Sequence, residues 1–180
     1  MTQMTARTDT SGSDDGSSRR RIEGRGDFLR TLEELLHEAA QGHWPMMCFC
    51  APHFLDWPLG SVSVVDSLTA WAQRGGQRHC DFVALDFDRW PQMHPRWARW
   101  YQTWAHLVNC WQAAEEFVDQ LPSALVLTRP DETLLLELTN SHYQTGWLHR
   151  GDTRAGALRR EVDVILQRSS VGLSASVLGL

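Results

Sequence analysis

Residues 124–139 read ALVLTRPDETLLLELT, and the reading of this stretch decides the fold. Two apolar runs, 124–128 and 133–139, stand on either side of Arg129-Pro130-Asp131-Glu132. Proline presets φ for a turn and aspartate can bond its own backbone within one, so the stretch predicts a β-hairpin. Upstream the pattern changes to alternating helices and strands. Asp27 can cap a helix on which Phe28, Leu32, Leu35, Leu36 and Ala39 recur at helical spacing, and Gly42 can end it. Residues 46–50 read as a short buried strand, and Ser61 opens a second helix carrying Val62, Val65, Leu68 and Ala72, closed by Gly75-Gly76. A second strand follows at 80–85, Pro95 opens a third helix running to about Ala105, and 107–111 is a third strand. Strands separated by helices predict right-handed βαβ crossovers. After the hairpin come a polar loop at 140–152 and a final helix at 153–168. The expected fold class is therefore α/β, with a mixed, mainly parallel sheet covered by helices on both faces.

Around that core the composition sets limits. Residues 1–26 are Thr, Ser, Gly, Asp and Arg with little that is apolar, which predicts a disordered polar tail. Residues 27–180 read as one domain, whose closing Val177-Leu178-Gly179-Leu180 is apolar enough to pack back on the body. Arg19-Arg20-Arg21 is not followed by an apolar run, so no secretory or twin-arginine signal is expected, and no segment is apolar for long enough to span a membrane. A cytoplasmic protein is the expectation.

All 17 basic residues are arginine; the 180-residue chain has no lysine. Arginine stays protonated and cannot serve as a titrating base or amine nucleophile. The absence excludes a Walker-A phosphate loop, a lysine Schiff base, a Ser-Lys dyad and a His-x-Lys motif. A formal net charge of −5 argues against a dedicated nucleic-acid binder, though not against a local basic patch.

The candidate site lies beyond the second strand, at the strand ends where open α/β sheets collect ligands. Asp86, Asp88, His94 and Arg96 are the candidate binding residues, with His53 and Asp56 as neighbours after the first strand. Arg96 at a helix start suits an anion, while Asp86, Asp88 and His94 would serve a metal-dependent hydrolase as the alternative. Aspartates can equally cap and turn the loop while Arg96 pairs with one of them. Between 89 and 104, Trp90, Trp97, Trp100 and Trp104 interleave with Arg89, Arg96 and Arg99, which makes a nucleic-acid binder the second alternative. Spacing favours burial instead, since Trp97, Trp100, Tyr101 and Trp104 stand at i, i+3, i+4 and i+7. Cys48, Cys50, Cys80 and Cys110 fall inside predicted strands rather than in paired metal-ligand loops, and read as packing residues. No metal and no cofactor is expected.

The element order, Pro58-Leu59-Gly60 before the second helix, His94-Pro95-Arg96, and the closing Leu178-Gly179-Leu180 together resemble an uncharacterised bacterial domain of the phospholipase D-like type, over about residues 27–180. Catalytic members carry His-x-Lys-x4-Asp on the strand entering the hairpin. With Asp131 as that aspartate, the histidine and lysine positions fall on Ala124 and Val126, and Glu137-Leu138 replaces the Gly-Ser that precedes the later asparagine, here Asn140. The resemblance thus implies a degenerate active site and a non-catalytic binding or regulatory module, able to pair with itself as half-size members do; the ligand is unknown, and Arg96 as an anion clamp points to an anionic one.

Overall fold

The computed structural model describes residues 18–174, so the readings of the tail at 1–17 and of Leu178-Gly179-Leu180 lie outside the described residues. The elements run β1 (Ser18–Glu23), α1 (Arg25–Gln41), β2 (Met46–Cys50), α2 (Val62–Gln73), β3 (His79–Ala84), α3 (Trp90–Met93), α4 (Pro95–Trp104), β4 (Val108–Gln112), a 3-10 turn (Glu115–Phe117), β5 (Ser123–Arg129), β6 (Glu132–Asn140), β7 (Thr145–Arg150), α5 (Thr153–Gln167) and β8 (Ser170–Leu173). One 8-stranded sheet orders them β1-β7-β6-β5-β2-β3-β4-β8.

The sheet is mixed but not mainly parallel, which corrects the expectation from sequence. Only β2–β3 and β3–β4 run parallel, while β1–β7, β7–β6, β6–β5, β5–β2 and β4–β8 run antiparallel. Both parallel joins are the expected crossovers, through α2 and through α3 and α4. The hairpin also forms, with Arg129 opposite Glu132 across Pro130 and Asp131, but β5 docks beside β2 and three further strands add antiparallel.

Two of those additions replace predicted irregular structure. Ser18–Glu23 lies within the segment read as tail, yet pairs along its length with β7. Ile22 is fully buried there, and Arg20 reaches Asp27 and Thr31 of α1, so the strand draws its order from neighbours rather than from its own composition. The predicted polar loop at 140–152 contains β7, held to β6 across a register shift after Leu138. Gly146 is required at that pairing, because any Cβ there would collide with the Glu137 carbonyl. Asp27 also moves: it sits in the first turn of α1, not at its cap, and accepts the Glu23 N–H at 3.1 Å.

Successive strand residues point to opposite sides of a sheet, and the core divides accordingly. Met47, Phe49, Leu125, Leu127, Leu134 and Leu136 join one cluster with Phe28, Leu32 and Leu36 of α1, Val64 and Leu68 of α2, and Trp97 of α4. Cys48, Cys50, Ala124, Val126 and Leu135 join a second cluster with Ala155, Leu158 and Val162 of α5. All four cysteines are buried free thiols within strands, and burial pushes their ionisation up. The aromatic stripe of α4 is also core: Trp97 packs edge-on to Phe82 at 5.1 Å and stacks on Tyr101 at 5.3 Å. No helix among the described residues is long and apolar enough to cross a membrane.

Candidate functional site

β2 and β3 run parallel and end side by side, which brings the residues just beyond them together. His53 Nδ1 lies 3.6 Å from Asp86 Oδ2, both side chains about half exposed at 55% and 47%. Arg89, Trp90 and Leu55 complete the lining of a shallow pocket of about 200 Å³. Asp88 is exposed on the turn next to it. A contact this open contributes little to stability.

His94 and Arg96 have a different setting. His94 is buried, and its Nε2–H donates to the Phe54 carbonyl at 2.9 Å. Burial pushes the imidazole below its ordinary pKa, with the Phe54 bond opposing, which favours the neutral ring. Arg96 donates to the Gly60 carbonyl at 3.3 Å. Gly60 lies against His94, where a Cβ would meet its Cα at 3.4 Å, an ordinary van der Waals contact. Pro58-Leu59-Gly60 and His94-Pro95-Arg96, far apart in sequence, therefore meet, and the second fastens the loop that holds the first. Of the four candidate residues, Asp86 alone lines the pocket. Among the described residues no three potential ligands from His, Cys, Asp and Glu come together, so Asp86, Asp88 and His94 do not assemble the centre of a metal-dependent hydrolase.

Sequence reading missed a polar group inside the sheet. Asp81, in the middle of β3, is buried; its Oδ1 accepts from Trp111 Nε1 at 2.7 Å and from His79 Nε2 at 2.8 Å. That bond to Asp81 holds the His79 imidazole above its ordinary pKa. The signal was a lone carboxylate between Cys80 and Phe82 in an otherwise apolar strand, and such a group needs partners when buried.

The arginines of the 89–104 segment lie outside the core that its tryptophans form. Trp90, Trp97 and Trp100 are buried, whereas Arg89, Arg96 and Arg99 are exposed. Among the described residues none of the three is ion-paired with a carboxylate, and α4 carries no acidic residue. On α5, by contrast, Arg154 pairs with Glu137 and Glu161, Arg159 with Asp163, and Arg168, just past the helix, with Glu116.

At the hairpin, Ala124 and Val126 are buried at 0% and 1% exposure in the cluster under α5. Asp131 is exposed and pairs with Arg129 at 3.3 Å. The Asn140 side chain accepts from the Tyr143 N–H at 3.0 Å. Neither Ala124 nor Val126 offers a nucleophile or a phosphate ligand, and the strand's hydroxyls are engaged elsewhere, Ser123 with Ser141 and Thr128 with Arg159.

No protein-family model matches this chain, and no curated protein matches it. Among solved structures it is similar to TrmBL2, an archaeal chromatin protein described as showing a novel mode of DNA binding, with 12% sequence identity and a TM-score of 0.54. The match covers 91% of this chain and 56% of that one. The likeness is one of fold. This chain spans little more than half the length of the protein it resembles.

Proposed function

We propose that this chain is a binding module of phospholipase D-like type without the family's chemistry, and that its ligand is nucleic acid held through the phosphate backbone. Arg89, Arg96 and Arg99 make the contacts. One observation carries the proposal: three exposed guanidiniums in one short segment lack carboxylate partners among the described residues, while two of the three arginines on α5, Arg154 and Arg159, are paired with carboxylates. Unpaired arginines are free to form charge-assisted bonds with phosphate oxygens. Arg96 and Arg99, three apart on α4, share a helix face. The tryptophans behind them stiffen the surface and do not stack on bases.

The net charge of −5 does not oppose this, because phosphate binding depends on local charge, and α4 has no acidic residue. The DNA binding attributed to TrmBL2 agrees with the reading in kind. Absence of phosphodiester chemistry is supported by the burial of Ala124 and Val126 where catalytic members keep histidine and lysine.

Binding of labelled duplex and single-stranded DNA, followed by anisotropy from 50 to 200 mM salt, tests the proposal. Three phosphate contacts predict a weakening of about 40-fold over that range on duplex, and each arginine changed to glutamine lowers the salt slope by about 1. Binding that ignores salt, or a triple Arg89→Gln, Arg96→Gln, Arg99→Gln variant with the parent slope, overturns it.

A further inference from the structure

At the opposite end of the parallel strands, where α1 and α2 finish and their chains turn into β2 and β3, lies a second cationic site. An open cleft of about 490 Å³ is lined by Gly42, His43, Arg74, Gly75, Gly76 and Arg78 among others, with no carboxylate in its wall. Arg78 is buried at 8% exposure. Its Nε donates to the Gly75 carbonyl at 2.9 Å, and its guanidinium lies over the Trp71 ring at 5.5 Å. Arg74 donates to the carbonyls of Gln41 and Gly42 at the end of α1. The Arg78 guanidinium is destabilised first by burial and then by repulsion from Arg74, and no carboxylate among the described residues is ion-paired with either.

Backbone geometry adds donors. Arg74 has right-handed helical angles, and Gly75 and Gly76 follow at φ 71° and 79°. A right-handed residue followed by a left-handed one turns successive N–H groups to one side, the arrangement that cradles anions. No hydrogen bond of the Gly75 or Gly76 N–H to another described residue is formed. Space around both glycines is open, since a Cβ at either would meet nothing within 4 Å.

We propose that Arg74, Arg78 and the backbone of Gly75-Gly76 form a site for a phosphate dianion, free or as a monoester, distinct from the Arg89, Arg96 and Arg99 surface. The competing account is that Arg74 simply caps α1. Two facts take the geometry beyond that. First, helix C-termini carry roughly half a negative charge each, so the two that end here offset about one of the two guanidinium charges and leave the cleft positive. Second, Arg74 uses only its Nη1 on α1, and its Nε and Nη2 face no protein acceptor among the described residues.

The test is titration of the ¹⁵N-labelled full chain with inorganic phosphate, against sodium chloride at equal ionic strength. Saturable movement of the Gly75 and Gly76 amide resonances with phosphate, and not with chloride, is the expected result. In calorimetry, Arg74→Gln and Arg78→Gln each weaken phosphate by roughly tenfold, the loss of one charge-assisted bond. Arg160→Gln, exposed on α5 and outside every ion pair named above, does not. A nucleoside 5′-monophosphate that binds as well as phosphate identifies a monoester as the ligand; one that is excluded identifies the free anion. Amide shifts that follow ionic strength alone, or glutamine variants that bind like the parent, overturn the proposal. Should Arg78→Gln fail to fold, the titration of the unaltered chain decides.

Discussion

Helices α4 and α5 carry the same cation in similar number, and the structure treats the two sets differently. On α5, Arg154 and Arg159 each reach a carboxylate, Glu137 lying on the sheet beneath and Asp163 one turn along the helix, and exposed Arg160 is the one left without a carboxylate partner among the described residues. On α4, Arg96 finds only a backbone carbonyl and Arg99 has no carboxylate partner among the described residues. The difference comes from what lies underneath. α5 sits over a strand that presents Glu137, whereas α4 buries Trp97, Trp100 and Tyr101 and offers its arginines nothing acidic. Charge used to hold a helix down is unavailable to a ligand; charge left on an apolar-backed helix is not.

Three experiments bear on that contrast. The largest effect belongs to the core face of α4: Trp97→Ala should cost about 4 kcal/mol in chemical unfolding, as large aromatic truncations in cores do. A cost below about 1 kcal/mol would mean that the tryptophans are not what anchors the helix. Next comes the buried end of the α5 pair. Glu137 keeps only 14% of its side chain exposed, so Arg154→Ala leaves a nearly buried carboxylate unpaired and should cost about 2 kcal/mol. Arg99→Gln on α4 should change stability by less than about 0.5 kcal/mol, a surface effect, while lowering the salt slope of DNA binding. Equal costs for Arg154→Ala and Arg99→Gln would erase the distinction.

A fourth experiment uses pH on the residue that joins α3 to α4. His94 has its folded pKa depressed by burial, with the Phe54 bond opposing. The unfolded chain therefore takes up the proton first as pH falls, so this contribution is present above the ordinary histidine pKa and is lost as pH drops towards the folded value. The thermal midpoint should decline in that window, and His94→Gln, whose amide can still donate to Phe54, should flatten the decline. A profile that His94→Gln leaves unchanged would show that folding does not shift the His94 pKa.

Much of the central fold was legible because its signals were local. The strand at 46–50, the Ser61 cap of α2, Pro95 at the start of α4 and the 129–132 turn each depend on residues within a few positions of one another. β1, β7 and β8 were not legible, because Ser18–Glu23 and Thr145–Arg150 are mostly polar or glycine-broken and gain order only from partners distant in the chain. The site divided in the same way. Asp86 beside His53 followed from the parallel strand ends, but the inward turn of His94 to Phe54 did not, since a histidine before a proline reads alike in a cleft or a core.

By itself the sequence determined the chemistry available to this protein: no lysine anywhere, an apolar pair at Ala124 and Val126, and a helix whose tryptophans and arginines fall on opposite faces. Those are properties of residue type and of spacing along a chain. Tertiary structure decided which way the strands run and which arginines keep their charge free. Both depend on what another part of the chain places alongside, and pairing at a distance leaves no trace in local spacing.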